Sequence, residues 1–241
     1  MKFKRVFTLI AVLFVSLGHG ALWAADSASF VDLGFSQDGS SYLFAQYGVK
    51  SGTLLPWAEM CVVDVSKNDF VSGGRILYTH DKPISAGQDG SGALYHVIMK
   101  NTIFAERYQI QFPNQGMPLY IALEGDPAYG GETITFRDFA SGSSYSASLL
   151  ETITGSGKDL RSSFYIDLVK KDGGSVITYK VGTPEIQRPL VASYRIKKAL
   201  ISPEGGSLIF VIEMKRLNDD SPSNASAGGP DIRYMVEALR L

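Results

Sequence analysis

Phe35-Ser36-Gln37-Asp38-Gly39 followed by Tyr42-Leu43-Phe44, and Ile201-Ser202-Pro203-Glu204-Gly205 followed by Leu208-Ile209-Phe210, are one pattern written twice. Each copy reads as a strand, a turn built from serine, any residue, an acid and glycine, and a second strand. The glycine suits the turn because a tight hairpin needs positive φ, which an absent Cβ permits. A third strand follows each copy, Met60 to Val65 in the first and Ile232 to Leu239 in the second. Two hairpins of this kind predict a mainly β domain made of antiparallel, blade-like sheets.

Between the copies, Phe164 to Val169 and Val176 to Val181 flank Asp172-Gly173-Gly174 and predict another hairpin. Glu132 to Phe136, Ser144 to Leu149 and Met117 to Leu123 read as further strands, the last with Pro118 near its start, where strands tolerate it. One segment departs from this pattern. From Ser91 to Tyr108 the apolar residues Leu94, Val97, Ile98, Met99, Ile103, Phe104 and Tyr108 recur at spacings dominated by three and four, which predicts a single amphipathic helix over about 91–108. Asp89 or Ser91 is expected to cap its start. If the terminal units meet in space, the last strand is placed to close the sheet begun by the first.

The first 24 residues have a different character. Lys2, Lys4 and Arg5 precede an apolar run from Val6 to Leu17, well short of the roughly 20 residues a bilayer-spanning helix needs, and small residues follow at Ala21, Ala24 and Ala25. This predicts a Sec-type signal peptide, 1–24, cleaved near Ala24, and a single β-rich secreted domain, 25–241, that is periplasmic or released and keeps no transmembrane anchor. Of 23 basic and 24 acidic residues, three basic ones fall in that leader, leaving a mildly acidic domain. Its densest basic cluster, Arg195-Ile196-Lys197-Lys198, suits a strand edge or turn better than a nucleic-acid face.

The Ser-x-acid-Gly units resemble the recurring blade motif of TolB-type β-propellers. More broadly, Phe35 to Val71, with Tyr47-Gly48-Val49 and Val62-Val63-Asp64-Val65, resembles an uncharacterised family of predicted secreted bacterial proteins, as does the C-terminal part from Pro184 to Ile196 and from Gly229 to Arg233. The resemblance implies export and a β-rich fold. A closed propeller with few blades is the alternative architecture, but it requires the blade signal at a period of roughly 40 residues, and the signal is clear only at the two ends.

Chemistry-bearing residues are sparse. Cys61 is the only cysteine and sits in an apolar run, where a thiol behaves as a small hydrophobe. Outside the leader only His80 and His96 remain, too few for a zinc site. Gln88-Asp89-Gly90-Ser91-Gly92 and Glu124-Gly125-Asp126 lack the alternating oxygen ligands of a calcium loop and read as a helix start and a turn. Gly155-Ser156-Gly157-Lys158-Asp159 lacks the spacing of a phosphate loop and reads as a hairpin connection. Asn224-Ala225-Ser226 fits a glycosylation pattern but lies in a polar excursion between strands. Trp57, Tyr42, Tyr47 and Tyr129 are candidates for lining a sugar or peptide surface, against ordinary sheet packing. No catalytic, cofactor or metal residue is assigned. The expected role is non-catalytic binding of a protein or peptide partner in the envelope or outside the cell. The alternatives are an envelope-polymer hydrolase using paired carboxylates and a small-ligand or calcium binder.

Overall fold

The computed structural model describes residues 26–85, 87–110, 114–123, 133–217 and 231–241. The leader and its cut near Ala24, Glu124-Gly125-Asp126, Tyr129 and Asn224-Ala225-Ser226 lie outside the described residues.

Three antiparallel sheets carry the fold. Sheet I has the order β1 (Ser29–Phe35), β2 (Ser41–Val49), β3 (Pro56–Asp64), β4 (Asp69–Thr79). Sheet II runs β6 (Thr133–Arg137), β7 (Ser144–Thr154), β8 (Arg161–Asp172), with both β9 (Ser175–Val181) and the short β10 (Arg188–Pro189) paired to β8. Sheet III runs β5 (Met117–Ile121), β11 (Val191–Ile201), β12 (Ser207–Arg216), β13 (Asp231–Arg240).

Burial along β12 fixes how the sheets stack. Side chains alternate across a strand, and Leu208, Phe210 and Ile212 join the core with Phe136, Ile166 and Leu168 of sheet II, while Ile209 and Val211 join the core with Phe44, Cys61 and Val63 of sheet I. Sheets I and II therefore lie on opposite faces of sheet III. The stack is open and does not close into a ring, so the closed-propeller alternative is not the architecture. On the far side of sheet I, α1 (Ser91–Lys100) lays Ala93, Leu94 and Val97 over Leu43, Met60 and Val62. Strand β3 is thus covered on both faces, which is why its sequence is nearly continuous in apolar residues, Glu59 being the exception.

The repeated turn is the same object in both copies. Ser36 N–H donates to Ser41 O (2.9 Å) and Ser41 N–H to Ser36 Oγ (2.9 Å); Ser202 N–H donates to Ser207 O (2.8 Å) and Ser207 N–H to Ser202 Oγ (3.1 Å). Gly39 and Gly205 occupy the left-handed region at φ of 66° and 76°. Sheet II repeats the closure with Asp138 in the place of the serine, its N–H donating to Ser143 O at 2.9 Å.

Four expectations are corrected. The predicted helix over 91–108 is interrupted at Asn101, where the side-chain amide donates to Val97 O (2.7 Å), and resumes as α2 (Thr102–Arg107). Met99 and Ile103 are exposed and do not extend the buried stripe. Neither expected cap holds: Gly90 is the N-cap, and Asp89 instead accepts from Ser91 N–H (3.1 Å) and Oγ (2.6 Å). The last strand does not close the first sheet; β13 belongs to sheet III, and the two ends meet through one parallel bridge between Ser27 and Ile232.

The two turn glycines are expected to differ in their tolerance of a side chain. A Cβ on Gly39 would press on Ser207 Oγ, Arg240 Nη1 and Glu204 Oε2 at 3.2–3.3 Å, whereas a Cβ on Gly205 meets open space. Gly205→Ala should cost about 1–2 kcal/mol from the left-handed backbone alone. Gly39→Ala should cost roughly 1–3 kcal/mol more through overpacking, as read from urea unfolding midpoints of the two variants.

Candidate functional site

Where sheets I and III diverge, the strand edges frame a cleft of about 600 Å³. One wall is the sheet III side of β2, β3 and β4. Cross-strand register sets its rows: Gln46 opposite Glu59 opposite Leu77, and Phe44 opposite Cys61 opposite Arg75. The other wall is β13 from Arg233 to Glu237, closed at one end by Ile186, Arg188 and Pro189.

Two side-chain amides span the walls. Gln46 accepts the Tyr234 N–H on Oε1 (2.8 Å) and donates through Nε2 to Tyr234 O (3.0 Å), reproducing on one residue the pairing of a neighbouring strand. Its Nε2 also reaches Glu59 Oε2 at 2.8 Å, and the second oxygen of Glu59 is ion-paired with Arg75. Asn68, held at a φ of 52° in the turn before β4, accepts the Ala238 N–H and donates to Glu237. Arg188 lies 3.6 Å from the other Glu237 oxygen.

A third cluster seals one end. Arg233 is bidentate to Asp26 (3.0 and 2.8 Å), contacts Asp231 at 2.9 Å and stacks 4.1 Å from the Trp57 ring centre. Trp57 Nε1 completes it by donating to Asp26 Oδ1 at 3.3 Å. The first described residues are stitched to β13 at the same place, Ile232 N–H donating to Asp26 O and Ala28 N–H to Ile232 O.

Two carboxylates, Glu59 and Glu237, are therefore buried in one cleft, and each is tied to an arginine and an amide. Burial pushes the Glu237 carboxyl above its ordinary value, with the Asn68 hydrogen bond and Arg188 opposing it. Burial likewise raises Asp32, Glu151 and Asp231. Asp38 and Asp64 move the other way, to about 2, through hydrogen bonds from Ser36 and Ser66 respectively.

The candidate aromatics separate. Tyr42 is fully buried between sheets I and III and lines no surface, while Tyr47 is half-buried on the helix side, away from the cleft. Trp57 is buried but forms part of the cleft beneath Arg233. Cys61 lies on the cleft floor with its thiol pushed far above the ordinary range by burial, so a thiolate nucleophile is not formed there. His80 and His96 both pack on Tyr78, His96 stacked at 4.2 Å and His80 edge-on at 6.3 Å. Gln88 to Gly92 is the start of α1, and Gly155 to Asp159 is the β7–β8 connection with a short 3-10 turn. Gln46, Asn68, Glu59 and Glu237 were not singled out from the sequence. Their one local signal is a polar residue inside an apolar strand, as Gln46 is within Tyr42 to Val49.

The sign of the pH dependence follows from these shifts. A carboxyl raised on folding favours the protonated fold: its contribution is full below the unfolded value and is lost as pH rises through the folded one. The lowered Asp38 and Asp64 contribute above their unfolded value and lose it as pH falls toward 2, and their exposure keeps that contribution small. Thermal melts are expected to lose the Glu237 contribution as pH rises above its ordinary value of 4.5 toward neutrality. Glu237→Gln, which cannot ionise, should reduce that loss.

Among the described residues no helix is long and apolar enough to cross a membrane. No curated protein and no solved structure matches the chain. A family model does match, over residues 43–240, and its description is predicted secreted protein (DUF2259). With most of its length covered, the chain belongs to this family of predicted secreted proteins.

Proposed function

We propose that the chain is an exported, non-catalytic binding protein, released as a single domain by cleavage near Ala24, whose cleft takes an extended segment of a protein or peptide partner. The observation that carries this reading is the edge of β4. Residues Arg75 to Thr79 pair with Cys61 to Trp57 on one side, and among the described residues no strand occupies the other. An unpaired edge offers backbone donors and acceptors to an added strand. Alternate side chains of such a strand would enter the cleft beside Leu77, which is 65% exposed. The blade-like sheets and repeated Ser-x-acid-Gly turns support the likeness to propeller blades, scaffolds that present loops and edges to partners.

Capture from intact envelope with the tagged exported protein is expected to return a reproducible protein partner. Leu77→Glu on the β4 wall and Ile186→Glu at the closed end of the cleft should each weaken its retention at least tenfold with the melting temperature kept. Retention equal to wild type in both variants would remove the cleft from the reading.

A second reading, hydrolysis of an envelope polymer, is favoured by one feature: Glu59 and Glu237 share the cleft, and the Glu237 carboxyl is raised as a general acid requires. Against it, both carboxylates are committed to Gln46, Arg75, Asn68 and Arg188. If the cleft is catalytic, Glu237→Gln should lower release of reducing ends from envelope polysaccharide by at least 100-fold. If it is a binding cleft, wild type releases none.

A further inference from the structure

Sheet II turns one face to the core and the other to solvent, and the solvent face is polar over β6 and the start of β7. Burial of Phe136, Tyr145 and Leu168 fixes the direction of their neighbours, so Arg137, Ser144 and Lys171 point outward. Register places Arg137 opposite Ser144 and Ser144 opposite Lys171, which sets the three in one row across the sheet. The two cations stand two strands apart, roughly 9–10 Å at ordinary strand spacing, with only a serine between them. The next rows along β7 bring Thr135 beside Ser146 and Thr133 beside Ser148, the last pair 2.6 Å apart at their hydroxyls. Because the middle strand contributes serines alone, it lies lower than its neighbours. The result is an open trough of about 460 Å³ whose polar lining includes Arg137, Ser144, Ser146 and Lys171 and whose apolar lining is Phe136, Tyr145 and Val169.

The cations at its end lack anions. Among the described residues Arg137 and Lys171 form no ion pair; the Arg137 guanidinium instead lies 5.9 Å from the Phe139 ring centre. The whole chain is net −1, yet this face sets Arg137, Lys171 and, on β9, Lys180 against Asp167. Two unpaired cations straddling a small hydroxyl form a seat for one anionic group. The hydroxyl rows beyond it offer donors and acceptors in a plane, matching a polyhydroxylated chain lying flat. A peptide lying on this face would meet side chains rather than backbone, whose donors and acceptors point along the sheet toward neighbouring strands and, at β6, out of its edge. The exposed apolar side chains of this face, Leu150 and Val176, lie outside the span between the two cations.

We propose that the outer face of sheet II binds a linear carboxylated polysaccharide. A sugar carboxylate bridges Arg137 and Lys171 above Ser144, and ring hydroxyls exchange hydrogen bonds with Thr135, Ser146 and Ser148. This site lies on a different sheet from the cleft and is independent of the peptide-binding reading.

The test is calorimetric titration of the exported protein with polygalacturonate as probe, and with dextran, dextran sulfate and phosphatidylglycerol vesicles as comparisons. Polygalacturonate is expected to bind and dextran not to. The pair Arg137→Gln with Lys171→Gln should weaken binding at least tenfold. Ser146→Leu, which fills the trough without altering charge, should weaken it comparably, and Lys158→Gln on the β7–β8 connection should leave it unchanged. Equal melting temperatures exclude loss of the fold. Three results would overturn the proposal: no heat with polygalacturonate at low salt, wild-type affinity in the double variant, or equal binding of dextran sulfate or the vesicles that Ser146→Leu does not alter.

Discussion

Sheet III is desolvated on both faces, and the rest of the molecule is arranged around that condition. A strand with no solvent face must be apolar on alternate sides and fully paired along its backbone, because an unpaired buried amide costs as much as the apolar contacts gain. Strand β12 satisfies both demands, with β11 and β13 on its flanks and opposite cores above and below. The partners of sheet III inherit simpler conditions. Sheet I needs one further cover, which α1 supplies, whereas the outer face of sheet II is left to solvent, its β6 and β7 rows from Arg137 to Ser148 carrying hydroxyls and a charge.

The same condition explains the polar residues between sheets I and III. Strand β13 is an edge whose backbone faces a partly buried cleft, so its N–H and C=O groups need partners that no strand provides. Gln46 and Asn68 meet the need at Tyr234 and Ala238. Each brings a carboxylate with it, Glu59 or Glu237, and each carboxylate brings an arginine. The charged lining of the cleft thus grows from unpaired backbone rather than from charge attraction.

How much of this was readable follows from the range of the interactions involved. The hairpins at Asp38-Gly39, Asp172-Gly173 and Glu204-Gly205 are local, set by turn residues between neighbouring strands, and they appear in the sequence as they do in the fold. Strand β4 does not, because Ser72-Gly73-Gly74 breaks its pattern: the register jumps between Cys61–Arg75 and Val63–Phe70, and the exposed edge carries little alternation. The interruption at Asn101 was hidden for the opposite reason, since apolar spacing continues through it while one side-chain amide captures a helix carbonyl. Gln46, Asn68 and Glu237 are joined over sequence separations of more than 160 residues, and no local pattern encodes such a partnership.

The open stack also decides where binding surfaces can exist. In a closed ring every sheet face is covered by the next sheet and only loops and the central channel remain exposed. Here the stack ends, so sheet I is terminated by a helix and sheet II by water. A sheet that ends a stack must carry side chains content in water, and small hydroxyls achieve this without covering the surface. Hydroxyls at strand spacing, with cations left unpaired at one end, form a recognition plane as a consequence of that termination. The cleft arises from divergence and the trough from termination, so the two surfaces answer to separate parts of the fold and can be altered separately.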